Sequence, residues 1–306
     1  MSGLRPAAGF SLAELLVAAL LASGISLGAL QLYQQSLRAY RSTEQLADLE
    51  ERAAFALRAL TDDIALAGFW GRYSSPATLA VPAGLAVRCG GTDITAWALQ
   101  RQQPVEARNA ALVMPCAPFT AAVGGADSLV IRHASSVPAL PRAGQLQLAT
   151  RVDCAELFAN GSVPAACATD SSVHNVEVHA WYVDRAASTR GMPSLRRYTL
   201  VTNGLLQNQE IMPGVEDMQV ALGVDRDADG WVDAFINPDE AGSAPVIAVR
   251  IGLRVRALRR EPGLGRQVLP SGIDARAGPQ VFTDSFRRIT AERTVFAPNL
   301  AHAAAP

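Results

Sequence analysis

The chain has 306 residues, 49% of them apolar and 18% charged, with 27 basic side chains against 28 acidic ones and four cysteines. A net charge of -1 with this much apolar material excludes a disordered polyelectrolyte and gives no overall electrostatic footprint for nucleic acid. The length accommodates one large core or two ordinary ones.

The first element is an apolar run from Phe10 to Tyr33, with no charge between Leu15 and Leu30. At about 1.5 Å per residue it reaches roughly 36 Å, enough to cross a hydrocarbon core of about 30 Å. The preceding segment, Met1–Gly9, is short and has Arg5 as its one charged side chain. Glu14 sits at the edge of the apolar run, where a carboxylate in lipid costs at least ~2.5 kcal/mol and calls for a cationic partner. A cut after Gly9 would supply one, because Phe10 would then carry a free α-amino group.

Gly9-Phe10-Ser11-Leu12-Ala13-Glu14, followed by an uncharged helix, resembles the class III leader junction of type IV pilins and type II secretion pseudopilins. The resemblance implies cleavage between Gly9 and Phe10 by a prepilin peptidase, N-methylation of Phe10, and an assembly role for Glu14 paired with the Phe10 amine of a neighbouring subunit. The apolar helix would stay attached to the rest of the chain.

Past the run, Leu46, Leu49, Ala53, Leu57, Leu60, Ile64 and Ala67 recur at three- and four-residue spacings and define one helical stripe. Arg38, Arg41, Glu44, Asp48, Glu50, Glu51, Arg52, Arg58 and Asp62 make the opposite face polar, no proline interrupts 10–68, and Gly68 is the natural stop. Gly24 and Gly28 form a small-xxx-small pair that permits close helix approach in a membrane, although ordinary membrane-helix glycines read the same way.

Beyond Gly68, short alternating runs broken by Gly and Pro predict a β-rich head. The clearest strand is 249–256, with Val249, Ile251, Leu253 and Val255 on one face and Arg250, Arg254 and Arg256 on the other. Segments 217–224, 175–183, 196–201 and 128–132 are further strands, 186–194 and 262–279 are exposed loops, and 300–306 is a frayed tail. Arg250, Arg254, Arg256, Arg259 and Arg260 read as a solvated or partner-facing sheet edge rather than a nucleic-acid surface.

Arg196–Leu200, Gly214–Val220, Gly223–Gly230 and Asp63–Phe69 resemble the PilW-type minor pilins. The chain departs from that pattern at its end, where Ala297-Pro298-Asn299-Leu300 replaces a Leu-Arg-Asn run and leaves the course of the final strand open. The resemblance implies an α+β, type IV pilin-like fold: a long N-terminal helix, transmembrane then amphipathic, packed on an antiparallel β-rich periplasmic head. The organisation is a leader at 1–9, a transmembrane half-helix at 10–33, an amphipathic half at 34–68 and a head at 69–306. The implied role is a non-enzymatic minor pilin that primes type IV pilus assembly and sits in or near the tip. Other minor pilins, the major pilin, the prepilin peptidase and inner-membrane lipid are its partners, a tip adhesin is a further candidate, and no nucleic acid is expected. Such a protein is single-pass in the inner membrane with a cytoplasmic N-terminus, and on the pilus surface after assembly. The alternatives are a J-type pseudopilin of type II secretion and a single-span periplasmic binding protein that never polymerises.

Asp225, Asp227 and Asp229 occupy positions one, three and five of a calcium loop, Gly230 turns at six, the Trp231 carbonyl falls at seven and Asp233 at nine. Position twelve is Ile236, so only Asp239 or Glu240, folding back, could replace the missing bidentate carboxylate; a solvated Asp/Gly turn is the competing reading. Calcium is therefore the one cofactor candidate. Cys89, Cys116, Cys154 and Cys167 lack the C-x-x-C spacing of a zinc site and suit an oxidising compartment. Three pairings are open, of which Cys89–Cys116 and Cys154–Cys167 close the shortest loops. His133, His174, His179 and His302 show no metal spacing, His179 reads as structural, and neither a nucleophile elbow nor a phosphate-binding loop is present, so no enzyme is expected.

Overall fold

The computed structural model describes residues 11–73, 79, 81–82, 84–189, 191–242, 244–270, 272–273 and 278–300. The chain divides into two compact units, 1–48 and 49–306.

The first unit is the N-terminal part of helix α1 (Leu12–Ala65), long and apolar enough to cross a membrane. Its large side chains are exposed, Leu12 at 77% and Ile25 at 74% among them, so no protein surface covers them. A Cβ added at Gly24 or Gly28 would meet nothing within 4 Å. Ser23 and Ser26 turn their hydroxyls back to the carbonyls of Leu20 and Ala22, which removes two polar groups from the helix surface.

Among the described residues the second unit contains the rest of α1 and fifteen strands: β1 (Arg88–Cys89), β2 (Thr92–Asp93), β3 (Val105–Arg108), β4 (Ser128–Ala134), β5 (Ala143–Arg151), β6 (Cys154–Asn160), β7 (Ser172–Asp184), β8 (Ser194–Val201), β9 (Leu205–Pro213), β10 (Val215–Val224), β11 (Ala234–Ile236), β12 (Val246–Arg256), β13 (Gln267–Leu269), β14 (Gln280–Phe282) and β15 (Arg288–Phe296). The larger sheet runs β2-β1-β9-β8-β7-β4-β3, with β5 and β6 attached through β7. The thirteen-residue β7 holds it together: its first residues pair with β5, and from Val176 onward it pairs with β4. A four-stranded sheet, β11-β10-β12-β15, is antiparallel throughout. The whole is α+β, an apolar helix leading into a β-rich head.

Strand alternation puts the two faces of the larger sheet into two cores. Leu129, Ile131, Trp181 and Val183 pack with Leu49, Ala53, Ala56, Leu57, Leu60 and Ile64 of α1 and with Met218, Val220, Ile251 and Leu253 of the smaller sheet. Val130, Val178, Ala180 and Tyr182 face the other way, onto Trp70, Val87, Ile94 and Leu148. The stripe read from sequence is thus the buried face of α1, although Leu46 is only half-buried.

Helix α1 ends before Gly68, whose φ of +74° an L side chain rarely adopts; a Cβ there would also come within 2.8 Å of Leu300. Leu300 is accordingly no part of a frayed tail. It is buried, and its N–H donates to the Ala297 carbonyl; residues 301–306 lie outside the described set. The final strand, β15, pairs with β12 from Arg256↔Arg288 to Ala248↔Phe296. Two expected loops are shorter than the sequence suggests. Ser194 is buried and opens β8, and Gln267–Leu269 forms a ribbon with Gln280–Phe282, short pairings that Gly- and Pro-rich flanks conceal.

Candidate functional site

At the start of α1, Ser11 and Glu14 form a reciprocal pair. The Ser11 N–H donates to Glu14 Oε2 at 3.0 Å, and the Glu14 N–H donates to Ser11 Oγ at 3.2 Å. This is a capping box, which satisfies two otherwise orphaned N–H groups. The proposed cleavage residues Gly9 and Phe10 lie outside the described residues.

At the other end of α1, Asp63, no part of the polar face read from the sequence, is buried. Its Oδ1 lies 2.8 Å from His133 Nε2 and 2.6 Å from His179 Nδ1, and its Oδ2 accepts from the Trp181 indole N–H at 2.5 Å. Burial favours the neutral carboxyl, but the two histidines outweigh it and hold Asp63 well below the usual carboxylate range. Burial likewise opposes charge on His179, and Asp63 with Glu177 raises that ring well above the usual histidine range. The sequence shows which face each of these residues takes, but not that the faces meet. Ala56, Leu60, Asp63 and Ala67 share a helix face, and His133 and His179 alternate in step with Ile131 and Trp181.

The acidic loop connects β10 to β11. One oxygen each from Asp225, Asp227 and Asp229 lies within 4.8 Å of the others. Asp225 is buried, with its two oxygens accepting from the N–H groups of Ala228 and Gly230; Asp229 accepts from Trp231 and Asp233 from Arg226. Asp227 accepts from the Asp229 N–H, which favours its charge, yet desolvation together with the neighbouring carboxylates Asp229, Asp233 and Asp225 prevails and raises its pKa. Trp231 is exposed, and Ile236 pairs with Leu222 in the sheet. Asp239 does not fold back to the loop: its Oδ1 accepts from the Asn109 N–H at 3.5 Å.

Cys89 is joined to Cys116 and Cys154 to Cys167, and the second bridge packs with Phe158 and Val173. The first ties β1 to the segment after β3.

The arginine cluster is not a sheet edge, because β12 lies between β10 and β15. Arg254 and Arg256 form ion pairs within the head, while Arg259 and Arg260 are exposed. Arg254 bonds Asp217 at 3.1 Å, Arg256 reaches Glu216 at 3.3 Å, Arg250 lies over the Phe235 ring and Arg260 over Phe286. Arg288 of β15 completes the group through Glu216 and Asp284.

Residues 180–299, from within β7 to past β15, match the family described as Type IV Pilus-assembly protein W. This segment is PilW-like. The match includes the PilW-like motifs at Arg196–Leu200, Gly214–Val220 and Gly223–Gly230, and excludes α1, Asp63, His133 and His179. A type IV-like pilin from Thermus thermophilus is similar at 16% identity and a TM-score of 0.31, over 57% of this chain and 78% of that one. A likeness this loose carries no weight for the fold. No curated protein matches the chain.

Proposed function

We propose that the chain is a minor pilin of the type IV pilus, a non-enzymatic component that primes assembly with other minor pilins and ends in or near the tip. The observation that carries this is the combination on one chain of a PilW-like segment, 180–299, and an exposed apolar helix opening at Ser11–Glu14. Prepilin peptidase would cut between Gly9 and Phe10 and methylate the new Phe10 amine. The apolar half of α1 would hold the subunit in the inner membrane, head outward, until the major pilin and the other minor pilins take it up. Glu14 would then exchange its Ser11 N–H for the Phe10 amine of a neighbour.

Complementation of a deletion strain tests the role. The wild-type chain is expected to restore pilus number, and Glu14→Leu is expected to insert into the membrane without restoring it. Restoration of secretion instead of pili would favour the J-type pseudopilin reading, and a chain retained intact in the membrane would favour the binding protein that does not polymerise.

A further inference from the structure

The cluster at the end of α1 brings together residues 70 and 116 positions apart: Asp63 from the helix, His133 from β4 and His179 from β7. On the strands, Ile131 is paired with His179, so His133 lies one step further along the same inward face, and the two rings meet edge to face with centroids 5.8 Å apart.

Each ring is oriented from behind. His133 Nδ1 lies 2.8 Å from the Ala134 carbonyl, which only accepts, so that nitrogen carries a hydrogen. His179 Nε2 lies 3.4 Å from the Glu177 carboxylate, which assigns its hydrogen in the same way. The nitrogens left over, Nε2 of His133 and Nδ1 of His179, both aim at Asp63 Oδ1, while Trp181 fixes Oδ2. The three donor atoms all lie within 4.8 Å of one another at buried positions, and the three groups behind them are of the kind that orients histidine and carboxylate on a metal.

We propose that Asp63, His133 and His179 form a buried binding site for one divalent transition-metal ion of the zinc type. Two imidazole nitrogens and one carboxylate oxygen suit zinc and its neighbours rather than calcium or magnesium, which take oxygen. Bonds of about 2.0–2.2 Å in a tetrahedral site put donors roughly 3.3 Å apart, so each ring nitrogen, now 2.8 or 2.6 Å from Asp63 Oδ1, moves about half an ångström or more away from that oxygen on loading, and a small ligand such as water takes the fourth position. The ion would pin α1, β4 and β7 together under the helix end, outside the PilW-matched residues. Metal binding here is independent of the pilin role.

The test uses the untagged full-length protein in detergent, stripped with a chelator and titrated with zinc chloride. One zinc per chain is expected to survive desalting, the Tm is expected to rise until one equivalent is added, and cobalt(II) is expected to give the visible bands of a four-coordinate nitrogen and oxygen site. Replacing both histidines (His133→Gln with His179→Gln) should weaken zinc retention at least tenfold. Zinc held equally by wild type and this double variant would place the ion elsewhere and overturn the proposal. So would a wild-type protein that retains no zinc, shows no shift and gives no cobalt bands, a result that does not depend on whether the variant folds.

Discussion

Ser11 and Glu14 hold each other's backbone N–H groups, at 3.0 and 3.2 Å, so the carboxylate proposed for assembly is also the N-terminal cap of α1. The two roles separate by substitution. Glu14→Gln keeps an acceptor for the Ser11 N–H and loses the charge, whereas Glu14→Leu loses both. Membrane fractionation should find both variants inserted, and co-purification of partner pilins should fail for both. Partner capture by Glu14→Gln at the wild-type level would show that capping alone matters.

Arg288 ties β15 to β10 across β12 through Glu216 at 2.7 and 3.0 Å, with its own side chain 4% exposed. Arg256 and Arg254 also reach Glu216, at 3.3 and 3.7 Å, so its charge stays partly matched when Arg288 is removed, and the loss is that of charge-assisted hydrogen bonds, about 1.5–3 kcal/mol. Arg288→Ala is expected to lower the denaturation midpoint of the full chain accordingly, while Arg293→Ala, at an exposed position of the same strand, should change it by less than about 0.5 kcal/mol. Equal effects would contradict this account of the smaller sheet.

The same network sets part of the acid response. The hydrogen bond from Arg288 outweighs a slight burial cost and holds Asp284 at about 2, below its ordinary value. A depressed carboxyl stabilises the fold fully above its unfolded pKa of about 3.9, and that contribution is lost as pH falls toward 2. Asp184, whose burial cost is exceeded by hydrogen bonds from Thr120 and Ala186, shifts in the same direction. Thermal melts should therefore show stability falling from about pH 4 downward, with a shallower fall in Asp284→Asn and in high salt, since Asp284 is exposed to solvent. An unchanged slope in that variant would remove Asp284 from the explanation.

Peptide mapping without reduction should recover Cys89 linked to Cys116 and Cys154 linked to Cys167, the links closing spans of 27 and 13 residues. Loss of either bridge should destabilise the head by about 2–4 kcal/mol. A Cys116–Cys154 peptide would refute the pairing.

Much of this fold is written in local periodicity. The stripe from Leu49 to Ala67 and the alternation at 249–256 each report a buried face directly, because spacings of 3.6 and 2 decide which side chains point inward. What depends on distant partners is harder to read. Asp63 looks like one more acid near the end of a charged helix until β4 and β7 bring two histidines beneath it. Gln267–Leu269 has no strand signal of its own and exists as a strand because Gln280–Phe282 lies beside it. The arginines of β12 resemble an exposed basic face only while Glu216, Asp217 and the phenylalanine rings are left out. The capping box at Ser11–Glu14 is legible as S-x-x-E, but the same four residues also carry the leader-junction resemblance, which masks the cap.

The central claim is that the chain is processed and used as a pilin, and the mature N-terminus tests it most directly. Mass spectrometry of the protein recovered from membranes and from sheared pili should find a chain that begins at N-methylated Phe10 and retains the apolar helix, with the uncut chain accumulating in a strain lacking prepilin peptidase. A protein that keeps Met1 in the wild-type strain, or one cut after the apolar run, would contradict the account.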